Sequence, residues 1–552
     1  MRRRLIAGIH RVATCYTAKV LPWALRHWRC IGSTVLAEQR VLIVGGGHNG
    51  LVCACYLARA GLDVTVLEQR SVAGGAVHTE ERLPGYRFDT CSVAHNMLNM
   101  TDIVQDLGLA SHGLRYQEMD PFTISPQPDG RPPLRFFRSL DRTCQDLARQ
   151  LPQADADHYY RFIRQAEPLI DLALPAIQGG GMGAAGRLLR ATRGGLRSLR
   201  QRGPLGLASL LLSPYGRVLT ESLDTEALCT PIAALAAHST ISPMALGGAF
   251  YVLWQAAYHR FGMWHAEGGS GNLAAALVRC LQAHGGTVRT QARVARVLFA
   301  RGRAAGVELS GGERLAAEVV VTAVNPQTAL LDLVGAEQLP AGMAAQVRAL
   351  HRGNAVQFVV LAALDRLPPY AGAESGDWNG MQSLATSVEQ IARAFAQAEA
   401  GEIPADPPLY AFTPSAMDAT LVPPGKHTLY LACPAYPGRL SGGRSWDDVA
   451  RGEGERLLRR LTEQAPGLAG AIGDFSVWNP LDMERELGLL GGHPMHLDLA
   501  LDQLGPLRPI PGLRRREVLP GLFLTGAGTS PTGGVVGTPG RLTARAVLGR
   551  HG

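Results

Sequence analysis

The sequence predicts an α/β protein with two domains. Three observations carry that reading: a β-α-β unit at residues 40–69, a second strand, glycine loop and helix at 521–550, and a length of 552 residues, too great for one compact core. The composition is globular, with 46% hydrophobic and 18% charged residues.

The first unit reads RVLIVGGGHNGLVCACYLARAGLDVTVLEQ. Val41–Val44 is a short apolar strand, Leu51, Cys55 and Leu57 begin a helix rich in small residues, Gly61 ends it, and DVTVLE is the next strand. Gly45, Gly47 and Gly50 fit G-x-G-x-x-G, whose glycines serve a tight turn, backbone approach to a pyrophosphate, and close helix–strand packing. The helix N-terminus offers free N–H groups and partial positive charge to phosphate. Glu68 lies 23 positions after Gly45, near the ~20 expected of a residue that accepts ribose hydroxyls. Its carboxylate would repel a 2′-phosphate, which disfavours NADP.

Residues 150–260 read as mostly helical. Residues 283–325 switch to short strands with glycine turns, a predicted meander. Residues 340–500 are mixed and proline-rich, as expected of a second domain. Two features then choose between dinucleotides. Gly74 and Gly75 follow the second strand and add backbone donors that a plain nicotinamide site does not need. TGAGTSPTGGVVGTPGR (525–541) repeats the strand, glycines and helix plan, and a second helix N-terminus there can face the carbonyl edge of a flavin. One long cofactor, FAD, explains both ends of the chain better than two cofactors. A single complete G-x-G-x-x-G leaves no dedicated NAD(P)H site, since GGSGN (268–272) lacks the β-α-β spacing.

The net charge of +8 is concentrated. Residues 1–39 carry +6 and residues 172–220 carry +7, leaving −5 on the rest. A mildly acidic body with two basic patches is not a general nucleic-acid binder. Leu188, Leu189, Leu196 and Leu199 among the arginines of 187–217, followed by LGLASLLL (205–212), suit peripheral membrane contact. A solvated helix is the alternative. Residues 1–39 form a basic extension, read as either a targeting segment or an unstructured tail. The nine cysteines include no CxxC, so no metal site and no redox dithiol is expected. The thiols indicate a reducing compartment: the cytoplasm, with or without membrane association, or a mitochondrion in a eukaryote.

Six stretches together resemble the phytoene-desaturase-like flavoproteins, within the larger amine-oxidase and glutathione-reductase-type FAD class. They are GHNGLVCACYLARAGLDVTVLEQRSVAGGAVHTEE (47–81), GGSGNLAAAL (268–277), VPPGKHTLYL (422–431), LSGGRSWDD (440–448), LDQLGPLRP (501–509) and LFLTGAGTSPTGGVVGTPGR (522–541). They run in collinear order over about residues 40–548. The resemblance implies a discontinuous Rossmann-like FAD-binding domain, built from 40–150, 261–335 and 505–552. An inserted mixed α+β substrate domain takes up 151–260 and 336–504. It also implies that Gly45, Gly46, Gly47, Asn49 and Gly50 hold the pyrophosphate, Glu68 the adenosine ribose, Gly74 and Gly75 the extended cradle, and Val294 the adenine. Gly526, Gly528, Gly534 and Val535 would line the flavin end. Amine oxidases of this class usually carry Arg after the glycine pair, where this chain has Ala76. That lowers the expectation of amine or amino-acid oxidation.

The activity implied is oxidation or isomerisation of a hydrophobic small molecule, with oxygen or a quinone as electron acceptor. A flavoprotein kept for regulation or interaction is the alternative. His496, in GLLGGHPMHLDLALDQL (488–504), is the candidate acid or base, because its family counterpart lies near flavin and substrate. His493 departs from a family Asn, while His95 and Trp264–His265 are read as structural.

Overall fold

The structure is a computed structural model describing residues 39–179, 206 and 208–549, apart from 128, 512, 514 and 515. Six strands form the first sheet: β1 (Arg40–Val44), β2 (Asp63–Leu67), β3 (Thr287–Arg289), β4 (Val319–Thr322), β5 (Glu517–Leu519) and β6 (Leu522–Leu524). Their order is β5-β6-β4-β1-β2-β3. All pairs are parallel except β5 with β6.

Helices α1 (His48–Arg59), α2 (Gly271–Ala283) and α3 (Thr538–Gly549) share a core with this sheet. Alternation along the strands explains how both faces are covered. Val41, Ile43, Val319 and Val321 join the core that contains the three helices. Leu42, Val44 and Val320 join a second core with Val297, Val307 and Leu330. The second core lies under an antiparallel meander of Val294–Ala300, Arg303–Leu309 and Arg314–Ala316. The strand-rich stretch 283–325 is therefore divided. Its two ends, β3 and β4, leave the meander for the parallel sheet.

The second domain is built on seven strands. In order they are Ile472–Trp478, Ala355–Leu364, His427–Pro437, Tyr410–Phe412, Met381–Ser383, Thr123–Ser125 and Leu134–Phe136. Ala355–Leu364 is buried at every position, because sheet neighbours lie on both sides and Val388–Glu399 and Trp446–Gln464 pack nearby. Phe358 stacks on Tyr436 at 4.7 Å between centroids, with Trp446 at 5.2 Å.

One boundary differs from the sequence reading of 40–150 as nucleotide-binding. Thr123–Ser125 and Leu134–Phe136 pair in the second sheet, the former parallel to Met381–Ser383. Strands of three residues are too short to show which core they face. The basic segments 1–38 and 187–202 lie outside the described residues, so the extension and most of the amphipathic run receive no structural account. No helix among the described residues is long and apolar enough to cross a membrane.

Phe358 is fully buried in the core of the second domain, so Phe358→Ala should cost about 3–5 kcal/mol of stability. Urea denaturation measures this. A loss below about 1 kcal/mol would contradict the packing described.

Candidate functional site

A cavity of about 960 Å³ lies beyond the carboxyl ends of the parallel strands, the place where open α/β sheets bind ligands. Val44, Leu67, Val324 and Gly526, which end or follow four of those strands, all line it.

The turn from β1 into α1 is fixed by backbone geometry. Gly45 has φ +101° and donates its N–H to the Leu67 carbonyl at 2.9 Å. A Cβ at Gly50 would lie 2.3 Å from the Gly45 carbonyl oxygen, so only glycine lets the helix start this close to the strand. A Cβ at Gly47 would meet nothing within 4 Å, because this residue faces the cavity. Gly47, Asn49 and Gly75 therefore border the open space at the α1 N-terminus, which has no acidic residue in its first turn. Gly46, Gly50 and Gly74 do not line the cavity; they hold its wall. Gly46 N–H binds Glu68 Oε2 at 2.8 Å. Gly74 N–H binds the Gly46 carbonyl at 2.9 Å.

Glu68 is buried but borders the cavity. Its carboxylate accepts from Gly46 N and, at 2.9 Å, from Arg70 N, so it braces the glycine loop as well as facing the ligand space. Val294, at the start of the meander, lines the same end.

Gly526, Gly534 and Val535 line the other end. Gly528 does not. A Cβ there would lie 2.3 Å from Pro326 Cδ, so its role is packing. His48 joins the two ends, with Nε2 3.2 Å from the Gly534 carbonyl oxygen and 3.0 Å from Asn49 Nδ2. Burial lowers the His48 pKa to about 4, and the ring is neutral. Sequence reasoning passed over His48 because the glycine motif leaves that position open.

His496 lines the cavity with φ +64°. Burial, with Arg508 next in effect, lowers its pKa to about 3. Its Nδ1 is buried and has no hydrogen-bond partner. At neutral pH the ring is uncharged, with one of its two nitrogens carrying a proton and the other able to accept a hydrogen bond. His493 turns away, with Nε2 3.3 Å from Asp498 Oδ1 and Nδ1 accepting from Met495 N at 3.3 Å. His95 lies between Tyr116 Oη and Ser270 Oγ, each at 2.7 Å, and His265 faces Asp418 at 3.4 Å; neither reaches the cavity. Trp264 Nε1 donates to the Phe261 carbonyl at 2.6 Å.

Arg508, also passed over, is a buried clasp. Its guanidinium donates to the carbonyls of Met495, Asp498, Gln503 and Ala527, fastening the 495–503 loop to the C-terminal glycine loop. Burial lowers its pKa to about 10, so it remains a cation.

The seven cysteines among the described residues are free. Cys55 and Cys280, 225 positions apart, donate to the carbonyls of Leu277 and Leu107. Away from the cavity, Asp155, His158 and Asp224 bring one ligand atom each within 4.8 Å of one another, a grouping the sequence reading did not contain.

From the glycine loops an apolar arm runs into the second domain past Val93, Met97, Ile177, Leu235, Phe250 and Trp254. The whole matches a long two-ended cofactor with a substrate beside it. Glu68 and Val294 suit an adenosine, the open face of Gly47 suits a pyrophosphate, and Gly534 with the unpartnered His496 Nδ1 suits a polar ring edge.

A family model described as flavin containing amine oxidoreductase matches residues 50–363. The chain is 31% identical over 544 residues to pyridine nucleotide-disulfide oxidoreductase domain-containing protein 2 of Rattus norvegicus, covering 93% of each chain. It is 26% identical over 531 residues to a phytoene desaturase (neurosporene-forming) of Cereibacter sphaeroides, covering 92% of this chain and 94% of that one. A solved oxidoreductase from Methanosarcina mazei shares the fold with TM-score 0.58 at 16% identity, over 92% of this chain and 100% of the other.

Gly50→Val should empty the cofactor site, since the Gly45 carbonyl is backbone and cannot yield. Purified protein should carry at least about tenfold less FAD with an unchanged circular dichroism spectrum, as the strain is confined to one turn. Full occupancy would contradict the geometry.

Five imidazoles have pKa values lowered by desolvation: His48, His238 and His259 to about 4, His95 and His496 to about 3. Below about pH 6.5 the unfolded chain binds protons that these groups refuse when folded. Stability therefore falls with pH toward about pH 4, by up to about 1.4 kcal/mol per pH unit for each. His265 and His351, with raised values, act in the opposite sense. The melting temperature should drop steeply from about pH 6.5 to 4.5, and less steeply in His48→Gln. A flat profile would contradict the assignment.

Proposed function

The chain belongs to the flavin containing amine oxidoreductase family and is a FAD-dependent oxidoreductase, and from that premise we propose that it dehydrogenates or isomerises a lipophilic small molecule. The observation that carries this reading is the apolar arm of the cavity, where Val93, Met97, Ile177, Leu235, Phe250 and Trp254 meet the flavin-end glycines. The relative named as a phytoene desaturase supports it.

FAD, when bound, supplies the two-electron acceptor. The protein supplies position and exclusion. Gly45, Gly47, Asn49 and the α1 N-terminus would hold the pyrophosphate, Glu68 the ribose, and the Gly534–Val535 loop the ring edge. The aliphatic and aromatic walls orient a substrate by shape and keep water from the reacting carbons. The unpartnered His496 Nδ1 offers a hydrogen-bonding group, while the lowered pKa makes the ring a weak base. Trp254 and Asn96 are locked together, Nε1 donating to Oδ1 at 3.1 Å, and keep the wall rigid. Oxygen or a quinone is taken as the terminal acceptor, because the chain has a single complete dinucleotide motif.

The test is anaerobic bleaching of the flavin band in purified protein by a panel of detergent-solubilised alkenes and polyenes. A lipophilic member should bleach it within a turnover, and short-chain amines should not. Peroxide release from an amine would favour amine oxidation. No bleaching by any compound would favour the regulatory reading. Rapid stoichiometric reduction by NADH would overturn the acceptor assignment.

A further inference from the structure

The apolar arm of the cavity carries no charged side chain among the described residues; the charged residues of the lining gather at the adenosine end. Glu68 and Arg70 follow β2, and Arg293 precedes Val294. Asp332 is on Thr328–Gly335, a helix in contact with the strand that Val294 begins. Glu484 and Arg485 are near the end of Pro480–Leu487, whose cap is Gly488, and a Cβ at Gly488 would lie 3.7 Å from Gln69 Nε2. An ammonium or carboxylate in the arm would be desolvated with no counter-charge, which is costly.

Polar side chains along the arm differ in how they are engaged. Asn96 Nδ2 donates to the Gly262 carbonyl at 2.5 Å, and its Oδ1 accepts from Trp254. Tyr251 Oη donates to the Leu499 carbonyl at 3.2 Å. His238 and Gln357 also line the cavity, and both have hydrogen-bonding capacity left over. Gln357 Nε2 donates to the His238 carbonyl at 3.2 Å, which fixes the amide and leaves Oε1 as an acceptor. The His238 ring meets Tyr410 edge to face, 5.2 Å between centroids, and neither ring nitrogen has a hydrogen-bond partner among the described residues. Burial lowers its pKa to about 4, so the ring is neutral and presents one N–H and one bare nitrogen. The two residues meet at one place in the wall. Thr240 Oγ1, two residues on, lies 3.5 Å from His493 Nε2, so this corner abuts the loop that carries His496.

We infer that His238 and Gln357 form a subsite for one hydroxyl group of the lipophilic substrate, so that the compound is a neutral alcohol rather than a bare hydrocarbon, an amine or an acid. The inference rests on the lipophilic-substrate reading and narrows it. A hydroxyl matches the pair because it both accepts, from the imidazole N–H, and donates, to Gln357 Oε1. A carbonyl oxygen can only accept and would leave Oε1 unpaired in an apolar space. A hydrocarbon would leave both groups unpaired, at the full cost of their desolvation. Sites built this way discriminate against analogues that lack the hydroxyl, because the buried protein groups lose their partners.

The test uses the full chain with FAD bound and probes of one chain length: 1-decanol, its methyl ether, 2-decanone, decylamine and decanoic acid. Binding is read from the flavin difference spectrum and by calorimetry. Wild type should bind 1-decanol at least about tenfold more tightly than the ether or the ketone, and the amine and the acid more weakly still. His238→Phe keeps a ring against Tyr410. It should bring the alcohol down to the level of the ether while the affinity for the ether, the FAD content and the melting temperature stay unchanged. Should that variant fail to fold, Gln357→Met, which keeps the volume, should lose the same preference. Equal affinity of wild type for alcohol and ether, or an alcohol preference that survives substitution, would overturn the subsite and leave the lipophilic reading standing. Wild type that prefers the amine or the acid would overturn both. Wild type that binds none of the probes would overturn the subsite, while the bleaching panel decides the lipophilic reading separately.

Discussion

The structure depends on one close approach, the crossing of α1 and α3 at the carboxyl edge of the parallel sheet. A Cβ at Gly540 would lie 2.2 Å from the Asn49 carbonyl and 3.0 Å from Cys53 N, so the two backbones are in contact there. This crossing joins the first glycine loop to the last, nearly five hundred residues later in the chain. His48 reaches Gly534 across the same seam. Everything between must leave the sheet and return to it, which it does through β3, β4 and β6. The cavity is the space that this closure leaves open. Its two ends are set by backbone, and backbone geometry at glycines tolerates little change.

The electrostatics of the seam follow from its burial. Arg508 and Arg516 are buried cations whose hydrogen bonds go to carbonyls and hydroxyls rather than to carboxylates. Burial lowers the pKa of each to about 10, which leaves both charged at neutral pH. His48 and His496 are held neutral nearby by burial, and at His496 the Arg508 charge acts in the same direction. A site of this sign suits an acceptor that gains electrons, and the carbonyls bound by Arg508 fix the loop carrying His496.

The first glycine loop of this arrangement was legible in the sequence because each of its features is local. Gly45, Gly47, Gly50 and Glu68 lie within one β-α-β unit, where spacing alone reports geometry. The C-terminal glycine loop was legible only as a second strand–glycine–helix pattern, together with the family resemblance. His48 and Arg508 were not legible. Their roles come from contacts with Gly534 and Ala527, and nothing in the local pattern of either segment announces such partners. Gly528 shows the reverse: it belongs to a glycine-rich motif but serves packing against Pro326. Thr123–Ser125 was misplaced because a three-residue strand has no period to read. Its sheet is decided by Met381–Ser383, far along the chain.

The two halves of the cavity are made by different means, and this accounts for how the fold can be shared where sequence is not. The cofactor half is formed by glycines, N–H groups and one carboxylate, so few side chains define it. The apolar arm is formed by side chains of the second domain, Leu235, Met381 and Phe412 among them, and by the loops around Phe250 and Leu499, where any apolar residue of suitable volume maintains the wall. Substitution there reshapes the arm without disturbing the α1–α3 crossing. An oxidoreductase at 16% identity accordingly keeps the same fold over 92% of this chain. The glycine seam therefore tolerates little substitution, while the apolar arm is where variation is least costly.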